Sequence, residues 1–541
     1  MVIYQLLPRL FTNQGATQFN GTYASNGSGK LAQITPKTLE RIKDLGADTV
    51  WLTGVVDYAT TTDYAAIGKP ASHPDVVKGK AGSPYAIRNF FDIAPDLAID
   101  PARRLEEFQQ LIGRIHAAGL KVIMDFVPNH TARQYHIASN AQAVNDECLM
   151  NPAANDRREP GYQVDNFYIY LDKPFEVPKP KLGSWVYKEN PAKVTGNSAY
   201  THAPTEYDWY ETVKINYGLD ERHTTLPEGK IPATWPFMTQ VLQYWARQGV
   251  DGFRCDMVDM VPNPFWQYAI GKVRAVHPKI LFIGESYIPS NYKPLFEAGF
   301  SYLYDKVGLY DAVKEVLQGK KGSAGISQAL WDTKDVADKL LHFMENHDEP
   351  RIAHATMAGS ADGGLAGSAL QVLATRGPWM HYMAQELGER ATEAEGFSGA
   401  DGKTTIFDYW NLASLGRLSN QGAWGLDSLK PDEKALYQRY RQLYGLKQNR
   451  KLFTDGDLYN LSPANPTGYG EVPEAKDKLF AFIRYLKDKE ASLVVVNLSE
   501  VATPITIIIP KEAKTATGLP GGEETKTYQI EGFDYLVRAL E

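Results

Sequence analysis

Four short stretches hold the side chains best suited to bond-breaking chemistry: Asp125-Phe-Val-Pro-Asn129-His130, Gly252-Phe-Arg254-Cys-Asp256, Gly284-Glu285-Ser286 and Glu345-Asn-His347-Asp348. Each polar group follows an apolar run, as it does where a parallel barrel strand ends at its C-terminal rim. Side chains on a strand alternate faces, so Arg254 and Asp256 share one face while Phe253 and Cys255 take the other. A guanidinium beside Asp256 is expected to keep that carboxyl ionised and fit to attack an anomeric carbon. Glu285 has no cationic neighbour in sequence, and burial at a strand end is expected to raise its pKa and suit it to general-acid work. Glycosidic cleavage needs such a pair; carboxyls about 5–5.5 Å apart give retention of configuration through a covalent intermediate. Asp348 is expected to be a third carboxylate, holding sugar hydroxyls and helping Glu285 keep its proton by repulsion. His130 and His347 are donors to the same hydroxyls, Arg351 just beyond Asp348 is counted among the substrate-binding residues, and Asp125 supports Arg254.

Each residue also has a plainer reading. Arg254 and Asp256 form an ion pair at a strand end, His130 is a satisfied core histidine, and Glu285 is a salt-bridge partner. Asn129 and Asp348-Glu349-Pro350 are then turn residues. All four stretches in order, each at a strand end, favour the chemical reading.

The elements that must position these groups alternate. Strands are expected at Val2–Leu7, Asp48–Leu52, Lys121–Val127, Val250–Met257, Ile280–Gly284, Ser301–Tyr304, Leu340–Met344 and Pro378–Tyr382. Helices lie between them, one capped by Thr35 with Pro36 in its first turn, another from Pro101 to Ala118 closed by Gly119. This order implies a (β/α)8 TIM barrel, with residues 1–130 and 236–450 as the catalytic unit. Residues 131–235 are rich in Pro, Asn, Tyr and Lys, lack a sustained period, and are too long for a loop; they are expected to form an inserted small domain over the barrel mouth. After the helix Pro431–Lys447, residues 451–541 read as a C-terminal antiparallel β-sandwich domain, with β runs at Leu479–Leu486, Ser492–Leu498, Pro504–Ile509 and Tyr535–Ala539.

Bulk properties are those of an ordinary globular chain. It has 541 residues, a formal charge of −7, 43% hydrophobic and 22% charged residues, and 31 Tyr with 10 Trp. The charge is spread without basic or acidic tails, which argues against nucleic acid or an anionic membrane as the main partner. No run is long enough to span a bilayer. Cys148 and Cys255 sit in no metal-ligand spacing, and no disulfide framework is expected. Compartment and oligomeric state are left open.

With these motifs in this order, the sequence resembles the α-amylase family of glycoside hydrolases. Ile3-Tyr4-Gln5, Gly82-Ser-Pro-Tyr85, Gly377-Pro378 and Gln385-Glu386 add to the likeness. The resemblance implies Asp256 as nucleophile, Glu285 as acid/base and Asp348 as the carboxylate that stabilises the transition state. It implies that Tyr85 stacks on the sugar to be cleaved, beside Arg254, His130 and His347. The implied reaction is retaining hydrolysis of α-1,4 bonds in starch-derived malto-oligosaccharides, with no cofactor in the chemistry itself. One departure stands out: many starch-cleaving members follow the nucleophile with a Lys-His pair, and Asp259 and Met260 stand there. That leaves room for a transglycosylase with the same machinery, a glucanotransferase or an isomerising glucosyl transferase. A non-catalytic glucan-binding protein is the third reading, disfavoured because all three carboxylates are present. Asn129 keeps two readings, a turn residue and a ligand of a structural calcium ion shared with an insertion acid. The missing His removes a backbone ligand that many relatives use.

Overall fold

The computed structural model describes residues 1–135, 169–170, 173–181, 185–199, 201–218, 231–232, 234–392 and 400–541. Eight parallel strands are present: β1 Val2–Leu6, β2 Thr49–Leu52, β3 Lys121–Phe126, β4 Gly252–Cys255, β5 Leu281–Gly284, β6 Tyr302–Tyr304, β7 Leu340–Leu341 and β8 Trp379–Tyr382. Their order is β7-β6-β5-β4-β3-β2-β1-β8. A parallel bridge between His342 and Trp379 closes the barrel. Every expected strand is found, most of them shorter than the apolar runs suggested. Ile3, Trp51, Ile123, Ile283, Tyr304, Leu341 and Met380 fill the interior as one apolar cluster. Phe253 and Cys255 belong to a separate cluster with the apolar side chains of the surrounding helices, so the expected alternation in β4 holds.

The helix Pro36–Leu45 begins as its sequence dictates. The Thr35 hydroxyl accepts from the Thr38 amide, Pro36 occupies the first turn, and Gly46 leaves in the left-handed region at φ 111°. The expected helix from Pro101 is a 3-10 turn over Pro101–Arg103 followed by the helix Arg104–Ala117. Among the described residues no helix is long and apolar enough to cross a membrane.

After β3 the chain turns back as the strand His130–Ala132, which pairs antiparallel with Thr212–Lys214. Phe175, Ala192 and Tyr210 of the intervening chain form a small separate apolar cluster with Val76 of the loop after β2. Arg133 ties it to Glu189 at 2.6 Å and lies over the Phe175 ring. Cys148 lies outside the described residues, and Cys255 is a free buried thiol.

At the C-terminal end, β9 Asp457–Asn460, β10 Leu479–Leu486, β11 Glu490–Asn497, β12 Thr503–Ile509, β13 Glu524–Ile530 and β14 Tyr535–Leu540 form two antiparallel sheets, β9-β10-β11-β14 and β12-β13. β10 and β11 are apolar on both faces, which removed the alternation from their sequence. Leu479, Ala481 and Ile483 pack with Ile505, Ile507 and Ile509 of the second sheet, while Phe480 and Phe482 join the cluster around the barrel. The sequence reading had missed β9 and β13; β13 is largely polar and exposed on one face.

Candidate active site

The registers of β3, β4 and β5 place the acids. Arg254 sits opposite Asp125 on β3 and Ile283 on β5. One step further, the Asp256 amide donates to the Phe126 carbonyl at 2.9 Å and the Glu285 amide to the Cys255 carbonyl at 3.0 Å. Both acids therefore stand just past their strand ends, on the same rim. Arg254 is fully buried between them. Its Nη1 donates to Asp256 Oδ1 at 2.6 Å, and its Nη2 lies 2.8 Å from Glu285 Oε1. Asp125 Oδ1 is 3.7 Å from Nη1, and the Tyr304 hydroxyl accepts from Nε at 3.2 Å. The rings of Trp51, Tyr85 and Tyr304 pack around the guanidinium at 5.4 to 5.6 Å.

Across the mouth, the Tyr85 hydroxyl lies 2.5 Å from His347 Nε2, and the two rings stack 5.0 Å apart at 18°. His347 Nε2 is also 3.0 Å from Asp348 Oδ2, while its Nδ1 faces the Gln5 amide at 2.8 Å. Asp125 accepts from the Gly54 amide at 2.9 Å. A cavity of about 300 Å3 lies over these groups, and Tyr85, His130, Asp256, Glu285 and Asp348 all line it. Arg254 and His347 lie beneath the carboxylates rather than in the open.

The electrostatics correct one expectation. Burial, and next the charge of Glu285, push the Asp256 carboxyl well above its usual range, against the pull of Arg254. Arg254 does not serve Asp256 alone, because its fork is divided between two acids. For Asp348, partial burial opposes ionisation, but the neighbouring His347 outweighs it and holds the carboxyl well below the usual range. Burial and then the charge of Lys214 bring His130 down to about 3, so its imidazole is neutral. Asn129 Nδ2 donates to His130 Nδ1 at 3.1 Å, which leaves the proton on Nε2.

Two binding assignments change. Arg351 is fully buried and away from the cavity: its Nη1 donates to Glu345 Oε2 and the Met383 carbonyl, both at 2.8 Å, and its Nε donates to Thr404 Oγ1 at 2.7 Å. It braces the loop after β7 instead of meeting a sugar. Asn129 Oδ1 accepts from the Lys214 ammonium, which also donates to the Met260 carbonyl at 2.8 Å. Asn129 Nδ2 donates to the Gly196 carbonyl at 2.8 Å. A cation is thus already supplied at Asn129 by the chain, and no group of three or more His, Cys, Asp or Glu that could hold a metal is found among the described residues. The residues here do not fit a calcium ion bound through Asn129.

Sequence reasoning missed several cavity residues: Lys78, Trp209, Glu211, Met257, Tyr287 and Phe407. Lys78 Nζ is 3.5 Å from Glu211 Oε2. Burial raises the Glu211 pKa, with Lys78 opposing. Lys78 and Phe407 come from the loops after β2 and β8, and Trp209 and Glu211 from the segment after β3, where no periodicity marks an inward side chain; Met257 and Tyr287 follow the ends of β4 and β5. Tyr287 had one signal, its place directly beyond Glu285.

Comparison with known proteins follows the same lines. The family model described as "Alpha amylase, catalytic domain" matches residues 5–279. Neopullulanase 2 of Thermoactinomyces vulgaris is 20% identical over 541 residues, covering 97% of this chain and 74% of the relative. Alpha-amylase 3 of Dictyoglomus thermophilum is 21% identical over 457 residues, covering 80% of this chain and 79% of the relative. Among solved structures, the α-amylase of Geobacillus thermoleovorans complexed with acarbose has a TM-score of 0.64 at 17% identity, covering 100% of this chain and 98% of that one. The last likeness is one of fold.

Proposed function

The chain belongs to the α-amylase family of enzymes acting on O-glycosyl bonds, and from that premise we propose that it is a retaining α-glucan hydrolase. Its substrates in this reading are α-1,4-linked malto-oligosaccharides. The observation that carries it is one guanidinium in contact with both Asp256 and Glu285 under a cavity that Asp348 also lines.

Asp256 and Glu285 share one buried cation, and burial together with the Glu285 charge pushes the Asp256 carboxyl up. The reaction uses the arrangement with Asp256 ionised and a proton on Glu285. Asp256 Oδ attacks C1 as the C1–O bond breaks, and Glu285 gives its proton to the departing oxygen. A glycosyl ester on Asp256 remains. The Glu285 carboxylate then takes a proton from water, the new oxygen bonds to C1, and the ester bond breaks. Asp348, ionised beside His347, accepts hydrogen bonds from sugar hydroxyls, and neutral His130 lines the same space. Tyr85 supplies the stacking face.

Asp256→Asn and Glu285→Gln, each assayed on maltoheptaose, are expected to lose roughly 10²–10⁴-fold or more in kcat/KM. Near-wild-type cleavage by either variant refutes the assigned roles. Chromatography of early products from pure maltotriose separates hydrolysis from transfer: only shorter sugars support the hydrolase, and longer ones move the assignment to a transglycosylase.

A further inference from the structure

We propose that Tyr287 is a catalytic residue whose hydroxyl holds the Glu285 carboxyl, and that Asp259 is the positioning residue that keeps Tyr287 there. The inference rests on Glu285 being the acid/base. Its origin is the turn after the nucleophile strand. Met257 adopts φ 45°, and the 3-10 turn Val258–Met260 follows. The turn sends Asp259 toward the segment after β5. There Asp259 Oδ2 accepts from the Tyr287 amide at 2.8 Å, and Asp259 Oδ1 accepts from Asn291 Nδ2 at 2.8 Å. The Ser286 hydroxyl lies 3.0 Å from each of its oxygens. One carboxylate thus ties both ends of the Ser286–Asn291 segment, and Asn263 Nδ2 extends the network by donating to Asn291 Oδ1 at 2.8 Å.

The segment so held aims one side chain at the chemistry. The Tyr287 hydroxyl donates to Glu285 Oε1 at 2.7 Å. The Met257 amide donates to Glu285 Oε2 at 2.8 Å. Both donors are arranged by the same turn. When Glu285 passes its proton to the glycosidic oxygen, a carboxylate is left with an O–H on one oxygen and an N–H on the other. Charge-assisted bonds of this kind are the strong ones. Tyr287 keeps its own proton throughout: burial, then the Glu285 charge, push its phenol well above the usual range. The other charged and titratable groups near Glu285 are Arg254 on β4 and Asp256 just past its end, Tyr304 on β6 and, lining the same cavity, Asp348 after β7.

The test is a set of pH–rate profiles on maltoheptaose for Tyr287→Phe, Asp259→Ala and the double variant. Each single change is expected to lower kcat about 10–100-fold with KM little changed. In all three the alkaline limb of kcat/KM moves to higher pH, because losing a donor to the charged form favours the protonated acid. The double variant is expected to be no worse than the more severe single, since the two act as one unit. An unmoved limb in Tyr287→Phe overturns the proposal. So does an Asp259→Ala protein that melts earlier with its limb unmoved and its defect multiplying with that of Tyr287→Phe. Should Asp259→Ala fail to fold, Asp259→Asn carries the same comparison, with a smaller limb shift expected and no shift overturning it. A separate arm tests the premise. α-Maltosyl fluoride needs little acid assistance, so Glu285→Gln is expected to release its first fluoride equivalent near the wild-type rate while losing maltoheptaose cleavage. Equal loss on both substrates removes Glu285 as the acid whatever Tyr287 does.

Discussion

Two buried cations, one at the barrel mouth and one at the seam with the C-terminal domain, meet opposite fates. Arg254 is fully buried, and burial works against its charge, yet Glu285, Tyr304, Tyr85 and Asp256 outweigh that cost and raise its pKa. Lys447, almost as inaccessible, is brought down to about 7 by burial and then by Arg484. The difference is in the partners. Among the described residues Lys447 Nζ donates only to backbone carbonyls, those of Val372 at 3.2 Å and Thr375 at 2.8 Å, at the end of the helix Ala361–Ala374. Arg484 donates to the Ala374 carbonyl at 2.9 Å beside it and is itself brought down to about 10. Carbonyl dipoles cap a helix but do not hold a full charge in a dry site; carboxylates do. At the mouth the acids outnumber the guanidinium, and burial with that excess pushes the Asp256 carboxyl up. At the seam nothing is left over, and the amine tends to discharge.

The sharpest way to break this comparison is Arg254→Met. It strips the shared cation from Asp256 and Glu285 and is expected to abolish turnover and cost about 3–5 kcal/mol of stability. Denaturation curves and maltoheptaose assays check it, and a variant with wild-type stability would show that the acids do not depend on Arg254.

Lys447 is expected to behave in the opposite sense. Its folded pKa of about 7 lies below its usual 10.5, so the unfolded chain binds this proton more tightly. The native state therefore gains stability as pH rises from 7 toward 10.5, and loses that gain as pH falls back. Relative to Lys447→Met, the wild type is expected to gain about 1 kcal/mol per pH unit in that window. Urea midpoints of both proteins at matched pH measure it, and parallel curves would count against a discharged amine.

A third lysine meets one side-chain and one backbone acceptor. Lys214 bridges Asn129 and Met260, so activity is expected to survive excess EDTA, while Lys214→Met loses about 1–3 kcal/mol from the acceptors left bare. Inactivation by EDTA that calcium restores would overturn the lysine's role. The smallest effect belongs to Arg351→Lys, which loses the two-pronged geometry that braces the loop after β7. It is expected to lower the melting temperature and leave KM unchanged; a raised KM would return Arg351 to the substrate.

Much of this was written in short-range pattern. Apolar runs ending in Asp125, Asp256, Glu285 and Asp348 announced strand ends, and the alternation of strand and helix announced that those ends share a rim. The two-residue period alone put Arg254 and Asp256 on one face. A cap such as Thr35 before Pro36 was equally readable, because its partner is only a turn away. Arg351 was misread because its position beside Asp348 says nothing about Glu345 and Thr404, which claim it in three dimensions. The Asp256 carboxyl was misjudged for the same reason, since its charge depends on Glu285 sharing Arg254 from another strand.

What periodicity and order establish, then, is which side chains reach the mouth. What the folded chain adds is who their partners are: Lys214 on Asn129, Tyr287 and Asp259 behind Glu285, Lys78 against Glu211. Strand and helix patterns are local and leave a trace every two or four residues. Charge and hydrogen bonding inside a protein depend on distances between segments far apart in the chain, and no local pattern records those distances.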